Sequence, residues 1–312
     1  MESCPSVLER GMVFLKKPLG VKQRENIVWK LMIAPTMIIL VLFIIFPTLF
    51  TLYNSLHSWN LASPQFGRHF VGLDNFISML TDPRFYNALY NSLRISFASL
   101  FVEFTLGFFI ALLLARGFRG SKIIRAGMLL PTMITPVVAS FMWLLIFNAD
   151  YGVLRHFFES IGIVPAPLML ADNRFAWLSI VITNAWQWTP FVALLLLAGM
   201  LSVPVDIIEA SSVDGASKFK QMIKIVLPCM KSVTLVALLI RLMDSFRLFE
   251  PIFILTRGGP GIETETLTFL IFREGFNFFE MGYASTLALL LLVVITFFSQ
   301  ILVRIVKDEW EV

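Results

Sequence analysis

The sequence of 312 residues is poor in charge and almost without cysteine and histidine. Only 15% of its residues are charged, 57% are hydrophobic and the mean hydropathy is +0.80, which excludes an ordinary soluble globular protein. Its two cysteines, Cys4 and Cys229, cannot build a disulfide framework, and we interpret both as inert small residues. The three histidines stand singly, without the spacing of metal ligands, so we expect no metal site: His57, His69 and His156.

The motifs of nucleotide and acyl-transfer chemistry are also missing. No G-x-x-x-x-G-K-[ST] phosphate-binding loop occurs, because the glycine-rich stretch Gly258-Gly259-Pro260-Gly261 lacks the lysine. No G-x-S-x-G nucleophile motif occurs either. We therefore expect a chain that is not an enzyme and binds no cofactor, so that any enzymatic step comes from a partner.

Long apolar runs dominate the rest of the sequence. Six runs reach the roughly 20 residues that a helix needs to cross the hydrocarbon core, and they are solid blocks rather than alternating strands. They predict an all-α, polytopic membrane protein with spans near 31–56, 93–115, 126–148, 176–200, 229–255 and 282–303.

Lysine and arginine are distributed unequally between the connections. Six lie in the N-terminal tail, four in residues 116–125, four in 201–231 and two after residue 303, whereas each alternate connection carries two. By the positive-inside rule, the first set of connections faces the cytoplasm, which places both termini there. The first run follows a basic lead and is long enough to span, so we expect no cleaved signal peptide.

Proline and glycine inside the runs predict local geometry. Pro131 and Pro136 predict a kink in the third span. Gly107 and Gly199 predict close contacts between helices, because a residue without a side chain lets two backbones approach. In the outer connection 57–92, apolar spacing predicts short amphipathic helices.

One connection, residues 201–228, is longer and more polar than a simple link requires. Ser202 can cap a helix with Pro204 in its first turn, Asp214-Gly215 predicts a turn, and a second helix would end at Pro228. An apolar face would turn to the bundle and a charged face to water. The apolar set is Ile207, Ile208, Phe219, Ile223 and Val226. The segment is either an interfacial connector or a docking element.

The spacing in this connection resembles a known signature. Glu209-Ala210, then Asp214-Gly215, then Ile225 and Leu227-Pro228 resemble the EAA signature of permease subunits of binding-protein-dependent ABC importers. Further stretches resemble the carbohydrate-uptake branch, the relatives of the maltose and glycerol-phosphate permeases: FVGLDNF, WQWTPFVALLLLAGMLSVP, LTRGGP and REGFNFFEMGYAS. Ser211 stands where that family usually has a second alanine.

The resemblance implies a type I importer permease fold and a set of partners. The domain layout would be a cytoplasmic tail 1–30, a transmembrane permease domain 31–306 and a tail 307–312. The partners would be a second, different permease chain, two ATPase subunits that hold ATP and Mg²⁺, and an extracytoplasmic binding protein. The solute would be a sugar, disaccharide or polyol, and the location a prokaryotic inner membrane.

The resemblance also implies that the 201–228 connection couples the permease to an ATPase. Glu209 would make an ionic contact with the ATPase, and Gly215 would allow the two helices to approach closely. The coupling residues carried over from the signature are Glu209, Ala210, Ser211, Asp214, Gly215, Ala216, Leu227 and Pro228.

Charge inside the fifth run suggests a solute path. Ionisable residues within a span cost roughly 2.5–3.5 kcal/mol each on insertion and usually face a protein interior or a watery cavity. Here they recur every three residues with alternating sign: Arg241, Asp244, Arg247 and Glu250. On one continuous helix they would form a slowly turning stripe, either an ion-pair ladder between helices or part of a cavity wall. Arg241 can pair with Glu103 of the second span.

The fourth run adds polar and aromatic side chains beside Pro190, which we expect to disturb the helix. Asn184, Gln187 and Trp188 offer amides and an aromatic face, the groups that bind sugars. The resemblance implies solute contacts from these two spans, but it also allows the partner permease to supply all of them.

Two other functions stay open from the sequence. A secondary transporter would show an inverted internal repeat, which is not seen, and would leave the 201–228 connection without a task. A membrane scaffold or receptor would not need polar groups in the fourth and fifth spans.

Overall fold

A computed structural model describes residues 32–63, 65 and 67–310 of the chain. The expected N-terminal tail 1–30 and its basic residues lie outside this part, as do the last two residues. The described part of the chain divides into two compact units, one ending at Phe50 and the other beginning at Thr51.

The described residues are predominantly helical. We number the helices in chain order: α1 Met32–Ser55, α2 Asp74–Thr81, α3 Pro83–Ala115, α4 Ser121–Met133, α5 Pro136–Ile146, α6 Val153–Ser160, α7 Asn173–Leu201, α8 Val205–Val213, α9 Lys218–Cys229, α10 Lys231–Phe246, α11 Leu267–Phe272 and α12 Met281–Trp310. Short π-helical segments cover Val41–Ile45, Met222–Val226, Ile252–Thr256 and Arg273–Asn277. A small antiparallel pair, β1 His57–Ser58 and β2 His69–Phe70, closes the connection before α2.

The six predicted spans correspond to four long helices and two bent pairs. In the described part of the chain, α1, α3, α7 and α12 are each long and apolar enough to cross a bilayer. The other two candidates are α4 with α5, bent by 94°, and α9 with α10, bent by 64°. The last helix continues through Trp310, so the first four residues of the expected tail 307–312 are helical.

The third span bends where its prolines predict. Ile134 leaves the helical conformation with ψ of 135°, Thr135 stays extended, and Pro136 is the first residue of α5. Proline suits a first helical position because its missing N–H would have no partner there, and its fixed φ is already helical. By contrast, Pro190 lies inside α7, which runs through it without a break, so the expected disturbance is absent.

The second unit is held together by α3 and α7, which pack along most of their lengths. A Cβ added at Gly107 of α3 would lie 3.0 Å from Val192 Cγ1 and 3.2 Å from the backbone nitrogen of Ala193. At Gly199 of α7, the added atom would lie 3.2 Å from Met230 Cβ. Both glycines therefore permit close helix contact, as their positions predict.

The connection between α10 and α11 is fastened to the start of α3. Glu265, almost fully buried, contacts Arg84 Nε at 2.8 Å and Arg273 Nη1 at 2.6 Å. Asn87 and Asn91 both donate to the backbone carbonyl of Ile262, at 2.7 and 3.1 Å. The contacts of Glu265 are charge-assisted and those of the two asparagines are neutral; together they hold the loop in place, and its sequence alone did not predict them.

Candidate functional site

A cavity of about 250 Å³ opens between α5, α7 and α10. Its lining includes all six residues that the sequence placed on a solute path: Asn184, Gln187, Trp188, Asp244, Arg247 and Glu250. Arg241 and three apolar residues complete it: Pro136, Leu248 and Pro251. Residues from three separate spans therefore meet at one cavity.

A buried ion pair joins Arg241, which lines the cavity, to Glu103 of α3. Arg241 Nε donates to Glu103 Oε2 at 2.8 Å and Arg241 Nη2 donates to Glu103 Oε1 at 3.0 Å. Both side chains are buried, at 1% and 0% exposure. The predicted pairing is confirmed, and its bidentate geometry gives the planar guanidinium a fixed orientation.

Three further residues complete the surroundings of the pair. Asn184 donates from Nδ2 to Glu103 Oε1 at 2.9 Å, which joins α7 to the pair. Asp244 accepts from Arg241 Nη1 at 3.3 Å while its own side chain stays 46% exposed. The guanidinium lies 4.5 Å from the ring centroid of Trp188, within cation–π range. Every nitrogen and one face of Arg241 thus have a protein partner.

Gln187 supports the bend in the third span. Its Nε2 donates at 2.8 Å to the carbonyl of Ile134, the residue that follows the end of α4. A carbonyl at a helix break has lost its usual partner, and in a membrane it must find another within the protein. The amides of Asn184 and Gln187 are therefore both engaged within the chain, whereas the sequence assigned them to solute.

The charged residues of the fifth span do not lie on one helix, so the predicted continuous stripe is wrong. Helix α10 ends at Phe246, Arg247 has φ −95° and ψ 9°, and helical structure resumes only at Glu250. Pro251 explains the break, because its ring clashes with the carbonyl four residues earlier, at Arg247, and it has no N–H to donate there. The break turns Arg247 and Glu250 towards the cavity instead of leaving them along a helix face.

The connection 201–228 forms the predicted helix, turn and helix, but with different ends. Ser202 closes α7 and donates to the carbonyl of Gly199 at 2.8 Å, so it does not cap the next helix. Pro204 stands at the N-cap of α8 rather than in its first turn. Pro228 lies within the last turn of α9 and does not end it, because proline is tolerated where a new turn begins.

The turn between α8 and α9 has Schellman geometry. Gly215 N–H donates to the carbonyl of Ser212 at 3.1 Å, and Ala216 N–H donates to that of Ser211 at 3.0 Å. Gly215 has φ +75°, and a Cβ there would meet nothing within 4 Å. The glycine is thus needed for its left-handed conformation, and the expectation that it provides room for close helix approach is not met.

The signature residues lie largely at the surface. Five of the eight coupling residues named above belong to α8 and its turn, and Glu209, Ala210, Asp214 and Gly215 are exposed, with Ser211 partly buried. Ala216 is partly buried, while Leu227 and Pro228 at the end of α9 are exposed.

Only part of the predicted apolar face meets the bundle. Val226 is buried and Ile208 packs against the same cluster, but Ile207, Phe219 and Ile223 are 45%, 75% and 46% exposed. Gln221 was not among the predicted residues, although it is buried and joins α9 to α8 by donating to Ser212 Oγ at 2.8 Å. The sequence offered one signal for this contact, since Gln221 is an uncharged polar residue among the apolar positions of α9.

Comparisons with known proteins agree with this architecture. The model of the family described as "Binding-protein-dependent transport system inner membrane component" matches residues 103–311. The trehalose/maltose transport system permease protein MalF of Thermococcus litoralis is 34% identical over 284 residues, which cover 91% of this chain and 95% of that protein. The trehalose transport system permease protein SugA of Mycobacterium tuberculosis is 33% identical over 287 residues, covering 92% and 91%.

A solved structure shares the fold. A chain of a bacterial ABC transporter involved in the import of the acidic polysaccharide alginate superposes with a TM-score of 0.80. The match covers 93% of this chain and 98% of that one at 22% sequence identity, so it supports the likeness of fold.

Proposed function

The chain belongs to the family of inner membrane components of binding-protein-dependent transport systems, and on this premise we propose that the solute it imports is a carbohydrate. The chain is a membrane-spanning permease of an ABC importer and not its ATPase. We propose that a sugar, disaccharide or polyol reaches it from an extracytoplasmic binding protein.

The similar relatives and the cavity both support a carbohydrate. Two relatives are named for trehalose transport, and one of these also for maltose. The cavity offers carboxylates that accept hydrogen bonds from hydroxyl groups, and the indole of Trp188 that can pack against C–H groups. These are the two kinds of contact that a polyhydroxylated solute requires.

Coupling to ATP hydrolysis would use the exposed segment formed by α8 and α9. Glu209 is exposed on α8 and would pair with a basic residue of the ATPase. ATP and Mg²⁺ would be held by two ATPase subunits, and a second, different permease chain would complete the path. The basic connections support a cytoplasmic location for this segment and for both termini.

The proposed coupling rests on one observation: the segment formed by α8 and α9 leads directly into α10, which forms part of the cavity wall. Helix α9 is followed by α10 after a bend of 64°, and α10 carries both Arg241 and Asp244. A displacement of α8 and α9 by closing ATPase subunits would therefore move one wall of the cavity. Such a movement would switch the cavity between the two sides of the membrane.

Affinity isolation of the tagged chain from its native membrane, followed by mass spectrometry, tests the proposal. We expect an ATPase and a second permease to co-purify with the wild type, and less ATPase with Glu209→Ala. The matched control is Glu263→Ala, which removes a carboxylate from the connection between α10 and α11. ATP hydrolysis by the isolated complex should rise when solute-loaded binding protein is added.

Two results would overturn the proposal. A chain that is isolated alone and moves solute in liposomes without ATP would be a secondary transporter. A chain that recruits a cytoplasmic protein but moves no solute would be a scaffold or receptor.

A further inference from the structure

The charged residues of the cavity wall are not equally available to a solute. Four line the cavity: Arg241, Asp244, Arg247 and Glu250. They are two cations and two anions, which alone would suggest a neutral site. Their hydrogen bonds and exposure change this conclusion.

Arg241 is withdrawn from the solute. It donates through Nε and Nη2 to Glu103 and through Nη1 to Asp244, its guanidinium lies over Trp188, and it is 1% exposed. A solute carboxylate or phosphate could bind Arg241 only in place of one of its two protein anions, the fully buried Glu103, which would then lose its cation, or Asp244 at Nη1. The positive charge of Arg241 is therefore cancelled within the protein.

The remaining charge at the cavity is predominantly negative. Asp244 is 46% exposed, and Glu250 is partly exposed at the residue where helical structure resumes. Arg247, also exposed, lies three residues from each of them. A solute entering the cavity thus meets two carboxylates and one guanidinium. Carboxylates accept hydrogen bonds from hydroxyl groups and repel other anions, strongly so where water is partly excluded.

We propose that this cavity selects neutral polyhydroxylated solutes over anionic ones, and that Asp244 and Glu250 are the residues of this chain that set the selection. The inference rests on the proposed function, since it concerns the same cavity and the same carbohydrate class. Uronic acids and sugar phosphates are excluded by the two carboxylates, while neutral saccharides donate hydroxyl hydrogen bonds to them.

The test measures binding to the purified transporter complex in the absence of its binding protein, so that the permease cavity alone discriminates. The probes are three neutral disaccharides, trehalose, maltose and cellobiose, each paired with the form whose 6-hydroxymethyl group is oxidised to a carboxylate. Saturation-transfer NMR gives the affinity of each. For each neutral disaccharide that binds, we expect the oxidised form to bind about tenfold more weakly.

The double variant Asp244→Asn with Glu250→Gln keeps the side-chain volumes and removes both charges. We expect the discrimination to fall from about tenfold to about twofold while the neutral sugar still binds. The matched control is Asp150→Asn, a carboxylate in an exposed turn outside the cavity, and it should leave the ratio unchanged.

The outcomes separate this inference from the function on which it rests. Equal binding of neutral and oxidised sugars by the wild type, or an unchanged ratio in the double variant, overturns the selection while leaving a carbohydrate permease. Absence of binding by every sugar overturns the cavity as a carbohydrate site and the selection with it. Coupling through Glu209 is judged separately, by ATPase co-purification.

Discussion

Glu103 and Arg241 are 138 residues apart in sequence and joined by two hydrogen bonds of 2.8 and 3.0 Å within the membrane-spanning part of the protein. Because Asn184 also donates to Glu103, this contact fastens α3, α7 and α10 to one another. The sequence left open whether these charged residues join helices to one another or line the cavity, and in the structure the two roles belong to different residues. Arg241 joins helices through its pair with Glu103, while Asp244, Arg247 and Glu250 face the cavity.

Substitution Glu103→Ala should destabilise the protein by about 3–5 kcal/mol, because it leaves the buried guanidinium of Arg241 without its anion. Chemical unfolding in detergent micelles measures the loss. A second substitution, Arg241→Met, should restore part of it, since the unpaired charge is then gone. The control Glu159→Ala breaks an exposed pair with Arg155 and should have little effect. A small effect of Glu103→Ala would contradict the role given to the pair.

Substitution Gly215→Ala should strain the turn between α8 and α9 by about 1–2 kcal/mol, because φ +75° is unfavourable for any residue with a Cβ. We expect weaker ATPase co-purification and lower stimulated ATP hydrolysis. The matched control is Gly127→Ala in α4, where the added methyl group meets nothing within 4 Å and φ is not positive. If both variants couple normally, the turn geometry is not required for coupling.

Substitution Gly107→Ala should separate α3 from α7 and cost about 1–3 kcal/mol through overpacking. Its Cβ would lie 3.0 Å from Val192 Cγ1, so Val192→Ala in the same chain should recover part of the loss. A double-mutant cycle of unfolding free energies measures this coupling. Strictly additive effects would show that the two positions do not contact each other.

Substitution Gln187→Leu should destabilise the protein by about 1–3 kcal/mol, because the carbonyl of Ile134 loses its donor at the bend. The measurement is again unfolding in detergent. Gln300→Leu, an identical change at an exposed position of α12, should be neutral or stabilising, since no hydrogen bond is lost there. Equal effects of the two substitutions would argue against the support of the bend by Gln187.

Much of this architecture could be predicted because membrane helices follow simple constraints. A span must be long, apolar and internally hydrogen-bonded, so six runs could be located from composition. Pro136 and Gly107 acted as their chemistry predicts, since one starts a helix and the other permits close packing. The pairing of Glu103 with Arg241 followed from the cost of leaving either charge alone in the membrane.

The failures have physical causes. The fifth span was treated as one helix, although Pro251 favours a break in the helix at Arg247. The opposite happened in α7, where a break was expected at Pro190 but the helix continues through this buried, closely packed residue. Helical periodicity placed Phe219 on the bundle face, but periodicity describes one helix and cannot tell which surface will cover it. The amides of Asn184 and Gln187 looked free because their partners, Glu103 and Ile134, are distant in sequence.

The complete engagement of Arg241 also limits how this protein can diverge during evolution. Glu103, Asn184 and Arg241 are one hydrogen-bonded unit, so a substitution at one of them requires a compensating substitution at another. Within the part of the chain that the structure describes, the side chains of Asp244, Arg247 and Glu250 take part in no such unit, and their one ion pair is the 3.3 Å contact from Arg241 to Asp244. New solute preferences can therefore arise at these three positions while the three-residue unit stays fixed.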